Sequence, residues 1–308
     1  MSSITSSRIL PDHKEESPSE DIKSNVSITV RETGPAIAKP AGIASLFGKT
    51  EYIGGIETSY RKSRGQTISG GLSGLIERLP SGDIVKSPWL GSRATQSRSD
   101  ITLEYQIYKR LGPHPRLVRI IAWDSEECAL TIEYMSNGCL KDYLCAHNDE
   151  ISETQRLRWI REAAEGVHLL HSAGVFHCDI APKNFLLDAD LSLKIADFGS
   201  SSLDGSRPSG CASTRFITPD FTFRTPPTVQ EDLYALGSTM YNIMTGKAPY
   251  QELESDEVER RYCAQDFPDI TDIPCGKIIQ RCWRSDVVSA QEVCDFVERY
   301  INKETLQG

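Results

Sequence analysis

Three polar side chains, Asp179, Asn184 and Asp197, have types and spacing that suit the handling of a phosphate group. Residues 185–188 and 193–196 flank a turn, and their apolar character predicts a hairpin of two short strands. That hairpin would bring Asp197 back beside Asn184. A carboxylate and an amide oxygen are ligands that Mg²⁺ prefers, and a further carboxylate can orient a hydroxyl group and accept its proton. Side chains of these types can together bind Mg²⁺ and activate a hydroxyl group.

The letters around these residues form two motifs, HCDIAPKN at 177–184 and DFG at 197–199. This pair resembles the catalytic loop and the metal-binding motif of eukaryotic-type protein kinases. The resemblance implies that Asp179 is the catalytic base and that Asn184 and Asp197 hold Mg²⁺. It also implies that the cation of Lys183 reaches the γ-phosphate of ATP.

Upstream residues extend the resemblance to a nucleotide site. The segment 69–76 occupies the place of the glycine-rich loop, whose backbone amides approach phosphates closely. Lys86 matches the lysine that holds the α- and β-phosphates, and Glu104 matches the helix glutamate that pairs with it. The stretch 130–138 resembles the hinge, with Ile132 as gatekeeper. The residues implied to bind ATP are Ser69, Gly70, Gly71, Gly74, Ile76, Ile84, Lys86, Glu104, Ile132, Glu133, Met135 and Leu186.

The elements that must position these residues fall into two parts. In the first part, residues around Ile68 and at 75–76, 84–85, 117–123 and 129–134 predict short strands, and 100–111 predicts one helix. The second part is predicted to be helical, and a capping pattern precedes each predicted helix. These patterns are Ser152 with Gln155, Thr228 with Glu231, and Ser289 with Glu292.

We therefore predict an α+β, bilobal, protein-kinase-like fold, with a small antiparallel-sheet N-lobe containing one helix and a larger, mainly helical C-lobe. The expected kinase domain covers 46–303, with the N-lobe at about 60–134, the hinge at about 133–138 and the C-lobe at about 139–303. Residues 1–45 are rich in Ser, Thr, Pro and charge, which predicts a disordered tail. Asp232 resembles the residue that braces the catalytic loop from the central helix.

The sequence differs from the family pattern at the positions that anchor the activation segment. Cys178 replaces the arginine that binds a phosphate on that segment in many kinases, so we expect activity to be independent of such a phosphate. The family's APE appears as TPD at 218–220. Either Arg281 or Arg284 remains open as a partner for Asp220.

The sequence also leaves open which type of residue in the protein substrate accepts the phosphate. Ala181 stands where serine/threonine kinases carry a lysine, and Lys183 stands where tyrosine kinases often carry arginine. Serine or threonine is favoured over tyrosine as the commoner outcome.

Composition limits the other function classes. The net charge of −9 argues against general nucleic-acid binding, and the basic segment YRKSR at 60–64 is interpreted first as a solvated loop. Nine cysteines without a CxxC pair predict free thiols rather than a disulfide or zinc framework. The polar N-terminus and the lack of a long apolar run predict no signal peptide and no membrane span, hence a cytoplasmic or nuclear location.

Two main interpretations of function remain. The first is an ATP- and Mg²⁺-dependent protein kinase that transfers the γ-phosphate of ATP to a protein hydroxyl, with a monomer as the default state. The alternative is a pseudokinase that serves as a nucleotide-binding scaffold or interaction module. Candidates for the lysine, the base and the metal carboxylate are all present, which favours the enzyme. A small-molecule phosphotransferase is a third interpretation, and the protein substrate, regulator and pathway are not indicated.

Overall fold

The computed structural model describes residues 27–29, 49–53, 56–71 and 73–305, with side chains from 61 to 303 except Leu72. Its strands are β1 Ser27–Thr29, β2 Lys49–Ile53, β3 Ile56–Tyr60, β4 Gln66–Gly70, β5 Leu75–Arg78, β6 Ile84–Ser87, β7 Ile120–Asp124, β8 Ala129–Ile132, β9 Val175–Phe176, β10 Phe185–Leu187, β11 Leu193–Ile195 and β12 Ser202–Leu203. Its α-helices are α1 Ala94–Leu111, α2 Leu140–His147, α3 Glu153–Ser172, α4 Val229–Thr245, α5 Ser255–Cys263, α6 Gly276–Trp283 and α7 Ala290–Thr305.

An antiparallel sheet in the order β4-β5-β6-β8-β7, together with α1, forms the small lobe. All four residues of β6 are buried, because the strand is paired on both sides and covered by α1. Period-two geometry places Ile84 and Lys86 on one face of this strand. The register sets Lys86 opposite Ile76 and Leu130.

The large lobe is helical and surrounds α3 and α4. Ser152 caps α3 by accepting the Gln155 N–H at 3.2 Å, and Gly246 ends α4 with φ 73°. The other two predicted caps are also present: the Glu231 side chain accepts the Thr228 N–H, and the Ser289 hydroxyl accepts the Glu292 N–H. The predicted bilobal α+β fold is confirmed.

Some boundaries differ from the expectation. Helix α1 begins at Ala94 rather than Asp100, because Ser97 and Asp100 are buried against the rest of the lobe and this packing overrides weak local propensity. Strand β7 begins at Ile120, since Leu117 instead bridges to Ile195 in the large lobe.

The predicted tail and the start of the domain are described only in part. Within residues 1–45, Ser27–Thr29 form β1 and pair with β3, whereas the other residues of that range lie outside the described part. All nine cysteines are free thiols, as predicted. Among the described helices, none combines the length and apolar character needed to cross a bilayer.

Candidate functional site

A lysine with two carboxylate partners lies where the two lobes face each other. Lys86 Nζ is 2.6 Å from Glu104 Oε2 on α1 and 2.6 Å from Asp197 Oδ1 after β11. The predicted pairing of Lys86 with Glu104 is therefore confirmed. Lys86 and Glu104 are almost fully buried, whereas the Asp197 side chain is 49% exposed. The site thus has a dry side against α1 and an open side at Asp197.

The pKa values of these groups follow from burial and charge. Burial would lower the pKa of Lys86, but the Asp197 and Glu104 carboxylates outweigh it and raise that pKa above its usual value. The positive charge of Lys86 lowers the pKa of Asp197. Burial raises the pKa of Glu104 in spite of Lys86. Asp197 is thus the firmly ionised carboxylate of the pair.

The catalytic-loop residues form a second, adjoining cluster. The amide nitrogen of Asn184 donates to the Asp179 carbonyl at 2.7 Å and to Asp179 Oδ2 at 3.0 Å. Lys183 Nζ is 2.7 Å from the same Oδ2. Asp179 Oδ1 is buried and has no hydrogen-bond partner among the described residues. One oxygen of Asp179 is therefore held, and the other is available to a hydroxyl donor.

Helix α4 sets the shape of this loop through Asp232. Its carboxylate accepts the backbone N–H groups of His177 at 2.8 Å and Cys178 at 2.9 Å, and lies 3.0 Å from His171 Nε2. Burial would raise the pKa of Asp232, but these partners lower it below the usual value. The predicted brace is confirmed.

The His177 ring ties the loop to the metal-site motif. His177 Nδ1 accepts the Asp179 N–H at 3.2 Å, and its Nε2–H donates to the Ala196 carbonyl at 3.1 Å. The ring also packs edge-on against Phe198, which meets Tyr108 of α1 on its other side. These contacts fix the position of Asp197 relative to Asp179.

Asn184 and Asp197 have the donor types that suit Mg²⁺. The Ala196 N–H donates to the Asn184 carbonyl at 2.9 Å, so the two residues are adjacent, as the hairpin predicted. Because the Asn184 nitrogen is engaged by Asp179, its amide oxygen points elsewhere and can accept a ligand. No cluster of three or more His, Cys, Asp or Glu side chains suitable for a metal occurs within the described residues. Two protein ligands fit Mg²⁺, which commonly binds one or two protein groups plus substrate phosphates and water.

The glycine-rich segment is a tight turn in which the Gly71 N–H donates to the Gly74 carbonyl at 3.0 Å. A Cβ on Gly74 would lie 2.5 Å from the Ser87 carbonyl oxygen, so this glycine is required by the turn's own packing. A Cβ on Gly71 would meet nothing within 4 Å. Ser69, at the first glycine position of the motif, is an exposed residue of β4. Gly71 is thus the glycine with open space for a ligand.

The hinge residues lie beyond β8. Ile132 is buried opposite Ile84 in the sheet, and Ile76 and Leu186 are half-buried. The Met135 carbonyl accepts the Gly138 N–H at 3.1 Å. These residues remain predictions for the adenine contact.

The Glu133 side chain links the hinge to both lobes. It lies 2.8 Å from Lys194 Nζ on β11 and accepts the Arg119 N–H at 2.9 Å. The Glu133 N–H donates to the Arg119 carbonyl at 2.9 Å. The sequence implied Glu133 as an ATP-binding residue of the hinge, and nothing in it indicated the contact with Lys194.

The activation segment is anchored without the family's ion pair. Arg281 binds Glu292 and the Asp286 carbonyl instead of Asp220, which excludes it as the expected partner. Asp220 is exposed and forms no salt bridge with any described residue, Arg284 included. The guanidinium of Arg215 replaces this anchor by donating to the carbonyls of residues 250 and 253.

The basic segment 60–64 is neutralised locally. Arg61 pairs with the buried carboxylate of Glu77, and Arg64 lies 3.2 Å from Glu127. The segment is thus only partly solvated, because Arg61, Ser63 and Arg64 are half-buried and only Lys62 is exposed.

The chain shows family similarity over most of its length. The family model described as the protein kinase domain matches residues 85–307. This match begins just before Lys86 and includes both catalytic motifs, whereas the glycine-rich segment precedes it.

Curated relatives carry names from several kinase classes. The dual specificity protein kinase pyk3 of Dictyostelium discoideum is 28% identical over 179 residues, covering 56% of this chain and 13% of the relative. The cytoplasmic tyrosine-protein kinase BMX of Mus musculus is 31% identical over 170 residues, covering 53% and 26%. The probable serine/threonine-protein kinase PBL28 of Arabidopsis thaliana is 33% identical over 162 residues, covering 48% and 43%. The matches therefore span less than half the length of each of these relatives.

Proposed function

This chain belongs to the protein kinase family, and from that premise we propose that it is an ATP- and Mg²⁺-dependent kinase that transfers the γ-phosphate of ATP to a protein hydroxyl. The observation that carries the proposal is the joint placement of Lys86, Glu104 and Asp197, with 2.6 Å between the lysine and each carboxylate. Phosphoryl transfer depends mainly on positioning and charge neutralisation, and this arrangement prepares both.

Each residue has a role that its contacts support. Lys86 is held between two carboxylates and presents its ammonium group to the α- and β-phosphates. Asn184 and Asp197 hold Mg²⁺, which when bound neutralises charge on the phosphate oxygens. The free Oδ1 of Asp179 orients the acceptor hydroxyl and takes its proton. Lys183, ion-paired with the other Asp179 oxygen and half exposed, reaches the transferred phosphate.

For the acceptor we propose serine or threonine, in line with the name of the relative PBL28. The name of the relative BMX includes tyrosine kinase, so the acceptor must be tested directly. Phosphoamino-acid analysis of products from a degenerate peptide library distinguishes the two. Phosphotyrosine as the sole product would contradict this part of the proposal.

The test of catalysis is transfer from radiolabelled ATP by the purified chain, compared with Asp179→Asn and Lys86→Met. We expect Asp179→Asn to lower the rate by a factor on the order of 10²–10⁴, the usual contribution of a general base, while ATP affinity is retained. Asp190→Asn and Lys277→Met, both at exposed positions in the turn after β10 and on α6, serve as matched controls and should leave the rate unchanged.

If the wild-type chain binds Mg²⁺ and ATP but transfers no phosphate, the proposal of an active enzyme is wrong and the scaffold interpretation takes its place. An Asp179→Asn variant as fast as wild type would remove Asp179 as the base.

A further inference from the structure

The glycine-rich segment is tied to the start of helix α1 by two side chains. Trp89 Nε1–H donates to the Gly71 carbonyl at 2.9 Å. The Ser97 hydroxyl donates to the Ser73 carbonyl at 2.5 Å and accepts the Trp89 N–H at 2.9 Å. These bonds form a continuous connection from the phosphate-facing turn, through the residues after β6, to the first turn of α1.

The Trp89 ring also accounts for the glycine at position 70, for which no phosphate contact is needed. A Cβ on Gly70 would lie 2.6 Å from Cη2 of Trp89, so the ring covers the backbone at this position. Gly70 is therefore required by Trp89, whereas Gly71 next to it has open space. This division of roles fits a turn that is supported on one side and free to accept a ligand on the other.

The inner end of the same turn reaches the metal-site motif. Ser73 is 6% exposed, and a Cβ on Gly199 would lie 2.9 Å from the Ser73 Cβ. Ser97, which holds the Ser73 carbonyl, is on the helix that also carries Glu104. The position of the turn is thus coupled to both the Lys86–Glu104 pair and the segment that carries Asp197.

A held carbonyl also directs the neighbouring amide. In a trans peptide the carbonyl and the following N–H point in opposite directions. Because the Ser73 carbonyl is held by Ser97, the Gly74 N–H is directed away from α1. Donors fixed in advance bind an anion without reorganisation at the moment of binding, and a glycine-rich turn would otherwise lose much entropy on ordering.

We propose that Trp89 and Ser97 are positioning residues of the nucleotide-phosphate site, which hold Gly70, Gly71, Ser73 and Gly74 in the geometry that binds the phosphates of ATP. The inference rests on the proposed function only in taking ATP as the ligand. It adds two residues outside the glycine motif and gives each a defined hydrogen bond.

The test compares two ligands that share adenine and ribose but differ in phosphates. Dissociation constants for Mg·ATP and for adenosine are measured by calorimetry on the full chain, on Trp89→Phe and on Ser97→Ala. We expect each variant to weaken Mg·ATP binding about tenfold, the effect of one lost positioning hydrogen bond, and to leave adenosine binding unchanged. Trp89→Phe keeps an aromatic ring while removing the N–H donor.

The matched control is Trp123→Phe, since Trp123 lies on β7 and stacks on Tyr105 at 4.4 Å, away from the turn. It should leave both affinities unchanged. Thermal melting of each variant verifies folding, and Ser97→Ala tests the proposal independently if Trp89→Phe fails to fold.

Equal weakening of Mg·ATP and adenosine would assign Trp89 and Ser97 a purely structural role and overturn the proposal. Unchanged or tighter Mg·ATP binding in the variants would overturn it as well, and so would a wild-type chain that binds adenosine but not Mg·ATP. A chain that shows the expected difference between ligands but transfers no phosphate retains this inference while losing the proposed enzymatic function.

Discussion

At the scale of single residues, the charges around Lys86 do not balance. One buried ammonium faces two carboxylates, so the cluster carries an excess negative charge when all three groups are ionised. Burial raises the pKa of Glu104, whereas Lys86 lowers the pKa of Asp197. A cation bound at the exposed side of Asp197 would compensate this excess, which agrees with the proposed Mg²⁺ site.

We expect that removing the charge of Glu104 lowers the activity much more than the stability of the protein. Removing one partner of a buried ion pair costs about 3–5 kcal/mol, but Asp197 remains on Lys86 as a second carboxylate, and burial raises the pKa of Glu104. Glu104→Gln should therefore lower the free energy of unfolding by less than that range. The same change removes the charge that holds Lys86 against α1, and kcat/KM should fall on the order of a hundredfold. Urea titration and steady-state kinetics measure the two effects.

The control for this change is Glu126→Gln, on the exposed turn between β7 and β8. A Glu104→Gln variant that loses several kcal/mol of stability together with its activity would contradict this expectation.

At the scale of elements, helix α4 organises the catalytic loop through one carboxylate. Asp232 accepts two backbone N–H groups of the loop and contacts His171, all within 3.0 Å. An asparagine has a single acceptor oxygen and no charge, so it cannot replace these bonds. We therefore expect Asp232 to matter for stability as well as for loop geometry.

The lowered pKa of Asp232 gives this contribution a defined pH dependence. A carboxyl with a depressed folded pKa stabilises the protein above its unfolded pKa of about 3.9, and this stability is lost as the pH falls through the folded pKa. Asp232→Asn should cost about 1.5–3 kcal/mol at pH 7, the range for hydrogen bonds to a charged group. The difference from wild type should shrink below pH 4.

Urea titrations of both proteins at pH 7, 5 and 3.5 measure this difference. A cost that stays constant over this range would show that the charge of Asp232 is not the cause.

The activation segment is held by contacts that need no phosphate. Arg110 at the end of α1 forms a bidentate pair with Asp204, with both N–O distances at 2.8 Å. The Ala212 N–H donates to the Cys178 carbonyl at 3.0 Å, and the Ser201 hydroxyl donates to the His177 carbonyl at 3.1 Å. The backbone of the catalytic loop thus binds the segment where the family's arginine would bind a phosphate.

We accordingly expect phosphatase treatment to leave the rate of phosphate transfer unchanged. Mass spectrometry verifies that the segment 200–218 carries no phosphate after treatment. Arg110→Ala should have only a small effect on the free energy of unfolding because the pair is exposed, and this effect should diminish at high salt. Loss of activity that is traced to the removal of a phosphate from this segment would contradict the expectation.

At the scale of the whole molecule, ion pairs behind the hinge join the two lobes. Arg116, which precedes β7, lies 2.7 Å from Glu162 and 3.2 Å from Glu165 on α3. Glu133 reaches Lys194 across the same boundary. A ligand bound between the lobes should therefore stabilise the molecule as one unit.

Mg·ATP at a hundred times its dissociation constant should raise the free energy of unfolding by about 2.7 kcal/mol. For a domain of this size the melting temperature should increase by about 5–10 °C. Asp197→Asn should lose the part of this shift that depends on Mg²⁺, as seen by comparing melting curves with Mg²⁺ and with EDTA. If Mg·ATP leaves the melting temperature of the wild-type chain unchanged, the proposal that the chain binds nucleotide is wrong.

The sequence by itself determined the motifs at 177–184 and 197–199, the hairpin between them and the three helix caps. These features depend on residues close together in the chain, where spacing and backbone periodicity decide the geometry. The family and the two-lobed fold follow from their order.

Only the tertiary structure decided which distant residues meet. Arg281 and Glu292 pair with each other while Asp220 stays exposed, and Trp89 reaches back to Gly71. Such contacts result from the packing of whole elements, which no local pattern encodes. The two carboxylates on Lys86 illustrate the difference: Glu104 was predicted as the partner of Lys86, whereas the approach of Asp197 to the same ammonium group at 2.6 Å was visible only in the folded molecule.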